Sequence, residues 1–424
     1  MWYNALISKK MSRESKMMQV HRKAIAVLLG LILLGLSVGG VRASAARPPN
    51  ETVPLFLPDR SGDYLCTPQM TYRQPQLCPP FSPGARKVRL DYLRSHLPNP
   101  LPELPVEEVE PPDDGRISRY TYAYVVKMPA PTYAHPAEAE VGMPPKRLFE
   151  DGFNWFSVQG KVEYNGQLWY QVNSEEYIQA DYVVIVSPSH FHGVLLSEQP
   201  SYPFAWVVRQ TQTSSSPGGT PDGPVLRRYE MVTLYGQIDV GDTWWYMIGP
   251  DQWIAQDTVG RVDVDPPPEG VAPGEKWIEV DTFEQTLAAY EGERMVFATL
   301  ISSGKGRENW TPDGLHRIWA KLPTTPMSTP DSGPDQPDWY YLEDVEWTQY
   351  FFDDYALHAA YWHDAFGFVR SHGCVNLAPL DAKWLFQWTS PPVPEGTKVI
   401  YSDDAHPGTW VWVHHSHPIP GILP

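Results

Sequence analysis

The sequence predicts a mainly β protein, with two small barrels followed by a larger, mostly β C-terminal domain that has one helix after Cys374. Three observations predict it. Runs of alternating aromatic and β-branched residues, bounded by turn formers, recur from residue 119 to 402. The 17 Trp, 23 Tyr, 45 Pro and 31 Gly suit short strands and turns better than long helices. One pattern of strand runs is also used twice in succession before a Pro-rich linker.

The 424 residues allow about two to four domains with their own cores. Lys and Arg number 33 against 50 Asp and Glu, a net charge of −17. Nucleic acid is excluded as a partner on this ground, because a phosphate polyanion needs a basic surface.

Residues 24–41 (AIAVLLGLILLGLSVGGV) are an apolar run behind Arg22 and Lys23, followed by Ala43-Ser44-Ala45. A basic lead, an apolar run and a small-x-small site predict a secretory signal over residues 1–46. The run is also about long enough to span a bilayer, so an uncleaved anchor is the alternative, and the membrane enters only in that way. Met17 or Met18 as the start gives a more compact signal. Its first 45 residues hold seven Lys or Arg and one Glu, which leaves 26 basic and 49 acidic residues beyond it. The rest reads as an acidic exported protein, secreted or wall-associated, and is expected to be monomeric.

Residues 47–118 are a Pro-rich spacer, with one short helix expected over residues 86–97. Cys66 and Cys78 lie here, and two nearby cysteines in an exported chain predict a disulfide, worth about 3 kcal/mol. Two reduced thiols are the alternative. With three cysteines in all, pairing these two leaves Cys374 as a free thiol.

Residues 119–190 and 200–265 form the repeat. Tyr122-Ala123-Tyr124-Val125-Val126 answers Phe204-Ala205-Trp206-Val207-Val208. Gly166-Gln167-Leu168-Trp169-Tyr170 answers Gly241-Asp242-Thr243-Trp244-Trp245, and Tyr177-Ile178-Gln179-Ala180-Asp181 answers Trp253-Ile254-Ala255-Gln256-Asp257. The copies resemble the bacterial SH3-like modules of exported cell-wall proteins. That resemblance implies wall binding if the aromatics are exposed, and spacers if they are core.

Residues 263–276 (DVDPPPEGVAPGEK) read as a linker. A further domain is expected over residues 276–402, and residues 403–424 as a tail. Trp277-Ile278-Glu279-Val280-Asp281 alternates with period two. Residues 286–290 and 295–301 continue it around a Glu291-Gly292 turn. The 302–309 glycine loop lacks phosphate-loop spacing. Residues 323–339 read as a long Pro, Ser and Asp loop. Pro379 and Asp381 open a helix, whose apolar face is Leu377, Leu380, Trp384, Leu385 and Trp388. Residues 396–401 make a last strand.

The stretch 357–377 (LHAAYWHDAFGFVRSHGCVNL) concentrates reactive groups: His358, His363, His372 and Cys374. Cys374 follows Gly373 at an expected strand-to-helix junction. There the N–H groups of Gly373 and Cys374 face a developing oxyanion and the helix N-terminus favours a thiolate. The alternative for a lone cysteine is a small buried hydrophobe, but Ser, His and Gly are poor core material. The three histidines and the thiol are also zinc ligands by type, as are those of His414-His415-Ser416-His417.

His358, a twelve-residue gap and Ser371-His372-Gly373-Cys374-Val375-Asn376 resemble the motif of the L,D-transpeptidases of peptidoglycan. Trp277-Ile278-Glu279-Val280-Asp281 and Thr311-Pro312-Asp313-Gly314 resemble that family's opening strand and Thr-Pro turn. The resemblance covers residues 276–402. It implies a mostly β catalytic domain in which Cys374 is the nucleophile and His358 the general base and acid, acting on peptidoglycan stem peptides with neither metal nor other cofactor. Gly373 is implied as an oxyanion donor, and Ser371 and His372 as site architecture. Asn376, Tyr340 and Tyr355 are implied as substrate contacts, one tyrosine helping at the oxyanion. Asp353 and Asp354 stand where they could attract the acceptor ammonium, or are simply an acidic strand end. Ala359-Ala360 departs from the family, which often has a hydroxyl residue there. A backbone carbonyl must then hold the His358 ring. The alternatives are a carboxypeptidase using the same thiol, a zinc enzyme, and a non-catalytic wall-binding protein.

Overall fold

The structure is a computed structural model and describes residues 83–108, 116–150, 152–172, 175–240, 243–329 and 339–416. All belong to one compact unit, residues 56–424. The expected signal over 1–46 and the Cys66–Cys78 disulfide lie outside the described residues. Among the described residues no helix is long and apolar enough to cross a membrane.

The chain is mainly β, as the aromatic and turn composition predicts. The helix expected in the spacer spans Pro83–His96. The spacer is not free-standing. Leu93 is buried with Tyr235, Ile238, Met247 and Trp253 of the second repeat, and Val106–Glu108 adds a strand to Val194–Leu196.

The internal repeat is real in topology. The opening strand of each copy pairs with its closing strand: Thr121–Val125 with Val183–Val186 and Phe204–Val207 with Val259–Val262. A short 3₁₀ turn precedes each closing strand. Equivalent residues fill the two small cores, Ala123, Val125, Ile178 and Val183 in one, Ala205, Val207, Ile254 and Val259 in the other.

Among the described residues the two expected barrels are not found closed. The strands of the second copy divide between a three-stranded and a five-stranded sheet, and those of the first enter a twelve-stranded sheet. The link is a parallel pairing of Phe153–Tyr164 with Tyr340–Phe352, in the register Tyr340↔Phe153 and Leu342↔Trp155. The 13-residue strand Tyr340–Phe352 presents unpaired backbone groups along its N-terminal half, and the first repeat covers that edge. Trp169, Trp206, Tyr246 and Trp253 are buried, with Trp244 and Trp245 half-buried. The fully buried ones among these aromatics are core, in line with the spacer alternative.

The C-terminal domain is built on Lys276–Asp281, antiparallel to Thr286–Glu291, which turns at Gly292 into Arg294–Leu300. Lys276–Asp281 also pairs in parallel with Trp410–His414. Residues 403–424 are therefore not only a tail, because their strand lies inside the seven-stranded sheet. The expected 323–339 loop is likewise half strand. Ala320–Ser328 runs through Pro323 and Pro326, and the register with Tyr340–Phe352 shifts between Thr325 and Met327 to admit them. Residues 330–338 lie outside the described residues.

The helix Pro379–Trp388 starts on proline and buries Leu380, Leu385 and Phe386. Ile278, Val280, Leu287, Phe297, Leu357, Ala359, Val375, Leu377 and Leu385 form one core between the helix and the sheets. Asp381 is buried rather than merely a first-turn charge. It accepts the Gly193 N–H at 2.8 Å and the Thr299 hydroxyl.

Candidate active site

Strand alternation assembles the site. Tyr355–Ala359 and Val375–Leu377 pair in parallel with Leu357 opposite Val375 and His358 opposite Asn376. Leu357, Ala359, Val375 and Leu377 point into the core. Alternation sends His358 and Asn376 to the opposite face. Cys374 immediately precedes the strand that pairs with the His358 strand. Among the described residues no hydrogen bond joins the two side chains. The thiol points to Asp354 O at 3.8 Å, and the Ala356 N–H also faces it.

His358 is buried, with Nδ1 3.1 Å from Ala359 O. A carbonyl only accepts, so Nδ1 carries the proton and Nε2 the lone pair. Burial pushes the imidazole down to about 4, against a small opposing pull from that carbonyl. Burial pushes the Cys374 thiol up to about 11, opposed by the Ala356 N–H and reinforced by the Asp354 charge. The Cys374 side chain itself is half-buried. Residues 368–369 are irregular rather than strand, Val375–Leu377 intervenes before the helix, and the helix begins only at Pro379. Its N-terminus does not offset the burial.

The turn that presents Cys374 is fixed by hydroxyls. Ser371 Oγ donates to Cys374 O and accepts the Gly373 N–H at 3.0 Å. That N–H, expected to face an oxyanion, is therefore already engaged. Thr311 Oγ1 donates to Gly373 O at 2.8 Å and accepts the Gly304 N–H at 3.0 Å. This explains why a Thr-Pro turn and the cysteine motif belong together. Gly373 has φ +117°, and a Cβ there would come within 2.2 Å of the Tyr355 ring. Only glycine fits between that ring and the turn.

Tyr340 stands beside the thiol. Burial raises its phenol, and the Cys374 charge adds to that. Its ring is 5.0 Å from that of His372, which is exposed. Tyr350 is raised in the same way by burial and by Cys374. Asp353 and Asp354 form the exposed turn between Tyr340–Phe352 and Tyr355–Ala359, with Asp353 at φ +39°. Desolvation and the Asp353 charge raise the Asp354 carboxyl.

Sequence reasoning missed two parts. The glycine loop set aside for lack of phosphate-loop spacing frames the site instead. Ser302 N–H donates to Asn376 O at 3.0 Å, Asn376 N–H to Ser302 O at 2.9 Å, and Lys305 N–H to Ser371 O at 2.9 Å. A loop without periodicity gives no signal of such pairing. His363, grouped above with the reactive side chains, is held firmly. Its Nδ1 accepts the Ala365 N–H at 3.2 Å, so Nε2 bears the proton and meets the Asn376 amide at 3.0 Å. An N–H needs an acceptor, so the Asn376 amide oxygen is assigned to this contact. Burial, with Arg370 nearby, pushes His363 down to about 3. His358, His363, His372 and Cys374 are thus engaged separately rather than around one shared point.

Residues 275–401 match the family model of the L,D-transpeptidase catalytic domain, YkuD. The chain is 26% identical over 144 residues to "Putative L,D-transpeptidase YciB" of Bacillus subtilis (strain 168), covering 30% of this chain and 65% of that protein's length. An L,D-transpeptidase structure from Stackebrandtia nassauensis is similar at 26% identity and TM-score 0.24, over 35% of this chain and 58% of that one. The L,D-transpeptidase from Mycobacterium smegmatis is similar at 18% identity and TM-score 0.28, over 54% and 93%. Residues 275–401 are thus similar to the L,D-transpeptidase catalytic domain, YkuD.

Proposed function

We propose that this protein is an extracytoplasmic peptidoglycan L,D-transpeptidase that cross-links stem peptides through a thioester on Cys374. The observation that carries the reading is the pairing of the His358 strand with the strand that directly follows Cys374, with the His358 proton held on Nδ1 and the Nε2 lone pair free. A neutral thiol and a neutral imidazole favour proton transfer during attack over a standing ion pair.

In the first step Nε2 takes the thiol proton as Sγ bonds to a stem-peptide carbonyl carbon. The peptide C–N bond breaks, and the imidazolium protonates the departing amine of the terminal D-residue. In the second step an acceptor amine attacks the thioester and gives its proton to Nε2. The new C–N bond forms and the thiolate leaves with that proton. With the Gly373 N–H engaged by Ser371, the oxyanion falls to the Cys374 N–H and the phenol of Tyr340, which stays protonated beside the thiol. Asn376 contacts the substrate with its amide oriented by His363. Asp353 and Asp354 attract the acceptor ammonium.

The test is digestion of cross-linked wall from cells with and without the enzyme, reading the linkage between stems. Linkages formed on the third residue of the donor stem, present only with active enzyme, support the reading. Unchanged linkages alongside trimmed, uncross-linked stems identify a hydrolase acting through the same thioester and overturn it.

A further inference from the structure

Five carboxylates meet one guanidinium where residues 263–265 pass the Lys276–Asp281 and Trp410–His414 strands. Asp263, Asp265, Glu279 and Asp281 line one small cavity with Arg261, and Glu284 accepts the Arg261 N–H at 3.0 Å. Glu279, Asp281 and Glu284 are all at least nine-tenths buried. With one positive charge among them, burial holds the Asp263, Asp265, Glu279 and Glu284 carboxyls above the usual carboxylate range.

Some of these groups are already engaged. Asp281 Oδ1 accepts the N–H groups of Phe283, Glu284 and Ser416 at 2.9, 3.3 and 3.2 Å. Asp263 Oδ1 takes the Arg261 guanidinium at 2.7 and 3.0 Å. Glu279 Oε2 accepts the Tyr290 hydroxyl at 3.0 Å, and Glu279 and Asp265 are hydrogen-bonded to each other. One ligand atom each from Asp265, Glu279 and His414 lies within 4.8 Å of the other two, with His414 Nε2 2.8 Å from Glu279 Oε1. Asp265, Glu279 and Ser416 line a cavity of about 10 Å³, with His414 next to Asp265 and Glu279. Ser416 is 5% exposed, yet its Oγ has no hydrogen-bond partner, and neither does Nδ1 of the 7% exposed His414. A buried hydroxyl left unpaired costs about 1–3 kcal/mol, and a void of this size holds one water or one ion.

We propose that this cavity binds one divalent transition-metal ion of the Zn²⁺ class, ligated by Asp265, Glu279 and His414 with Ser416 Oγ facing it. Two carboxylates and one imidazole are a borderline-soft donor set that Zn²⁺ accepts in four-coordinate geometry. Ca²⁺ needs six to eight oxygens and more room. On binding, the His414 proton moves from Nε2 to the unpartnered Nδ1 or is released, and Nε2 becomes the ligand. The ion fastens three segments together: the end of the second repeat, the first strand of the catalytic domain and its last strand. No residue placed in the catalytic site takes part, so the role is structural.

The full chain carrying Cys374→Ala, so that the thiol does not compete, is stripped with a chelator. It is then titrated separately with Zn²⁺, Ca²⁺ and Mg²⁺, following heat and unfolding temperature. The expected result is one Zn²⁺ per chain and a rise in unfolding temperature. Adding Asp265→Asn should weaken Zn²⁺ binding by about tenfold or more. Asp265 is only half-buried, so Asp265→Asn keeps the fold, checked by circular dichroism, even where His414→Gln does not. Absence of stoichiometric Zn²⁺ binding, or equal affinity in Asp265→Asn, overturns the proposal. Preference for Ca²⁺ over Zn²⁺ also overturns it, because it marks an all-oxygen site without His414.

Discussion

His358 holds its ring proton on Nδ1, 3.1 Å from the carbonyl oxygen of Ala359, the next residue in the chain. A relative with a hydroxyl side chain after the histidine can orient the ring through that group. Here the backbone does so, and alanine suffices. The geometry leaves the Nε2 lone pair free, on the strand that pairs with the one directly following Cys374.

The first prediction concerns pH. Because His358 titrates near 4 rather than at its ordinary 6.5, acylation of Cys374 should hold level from neutral pH down to about 5. It should then fall with an acid limb near 4. The pH profile of acylation by a β-lactam checks this, and a limb at or above 6.5 would count against it. Between 6.5 and 4 the unfolded chain protonates this histidine before the folded chain does. Its contribution to stability is therefore full above 6.5, falls as pH drops through that window, and levels off below 4.

Asp354 offers a second test. Its charge adds to the burial that raises the Cys374 thiol. Asp354→Asn should lower the thiol pKa and speed alkylation by iodoacetamide at pH 8 by a few-fold. The same change should slow the amine step more than acylation, since the ammonium loses an attracting charge. Unchanged alkylation, or equal slowing of both steps, would remove Asp354 from the site chemistry.

Gly373→Ala should be severe. The added Cβ meets the Tyr355 ring, and φ +117° is itself strained for an L side chain, at a cost of about 1–3 kcal/mol. The expected outcome is a modest loss of stability with acylation reduced by about a hundredfold or more. Stopped-flow acylation beside urea unfolding separates the two, and near-normal acylation would show that the turn tolerates movement.

Lys321 predicts a purely structural effect. It is fully buried, and its ammonium donates to the carbonyls of Phe386, Thr389 and Pro391 at 2.7, 2.8 and 2.9 Å, closing the end of the Pro379–Trp388 helix. Lys321→Met fills the space but leaves three acceptors unpaired. It should cost about 3 kcal/mol or more in urea unfolding. A loss under about 1 kcal/mol would show that water or a shifted helix end replaces the amine.

Local features of this protein were legible in its sequence, while long-range pairing was not. Period-two alternation found the strand at Trp277, and proline found the helix at Pro379, because each is set by neighbouring residues. The repeat could be read residue against residue, from Ala123 and Ala205 to Ile178 and Ile254. Barrel closure could not, because it depends on whether Phe153 pairs within its own module or with Tyr340. That register links residues 187 positions apart. The strand Trp410–His414 hid in a segment read as a tail for the same reason, since its partner is Trp277. In the site, His358 and Cys374 stand out by motif, and the missing hydroxyl at Ala359 points to a carbonyl contact. The commitment of the Gly373 N–H to Ser371 and the burial that raises the thiol are products of packing, which residue types alone do not reveal.

The central claim is that Cys374 is the acyl-accepting nucleophile. Intact-mass spectrometry after incubation with a carbapenem, whose strained lactam carbonyl a thiol opens, tests it most directly. The account predicts one covalent adduct per chain on the wild type, formed slowly in His358→Ala and absent in Cys374→Ala. No adduct on the wild type, or an adduct that persists in Cys374→Ala, would contradict it.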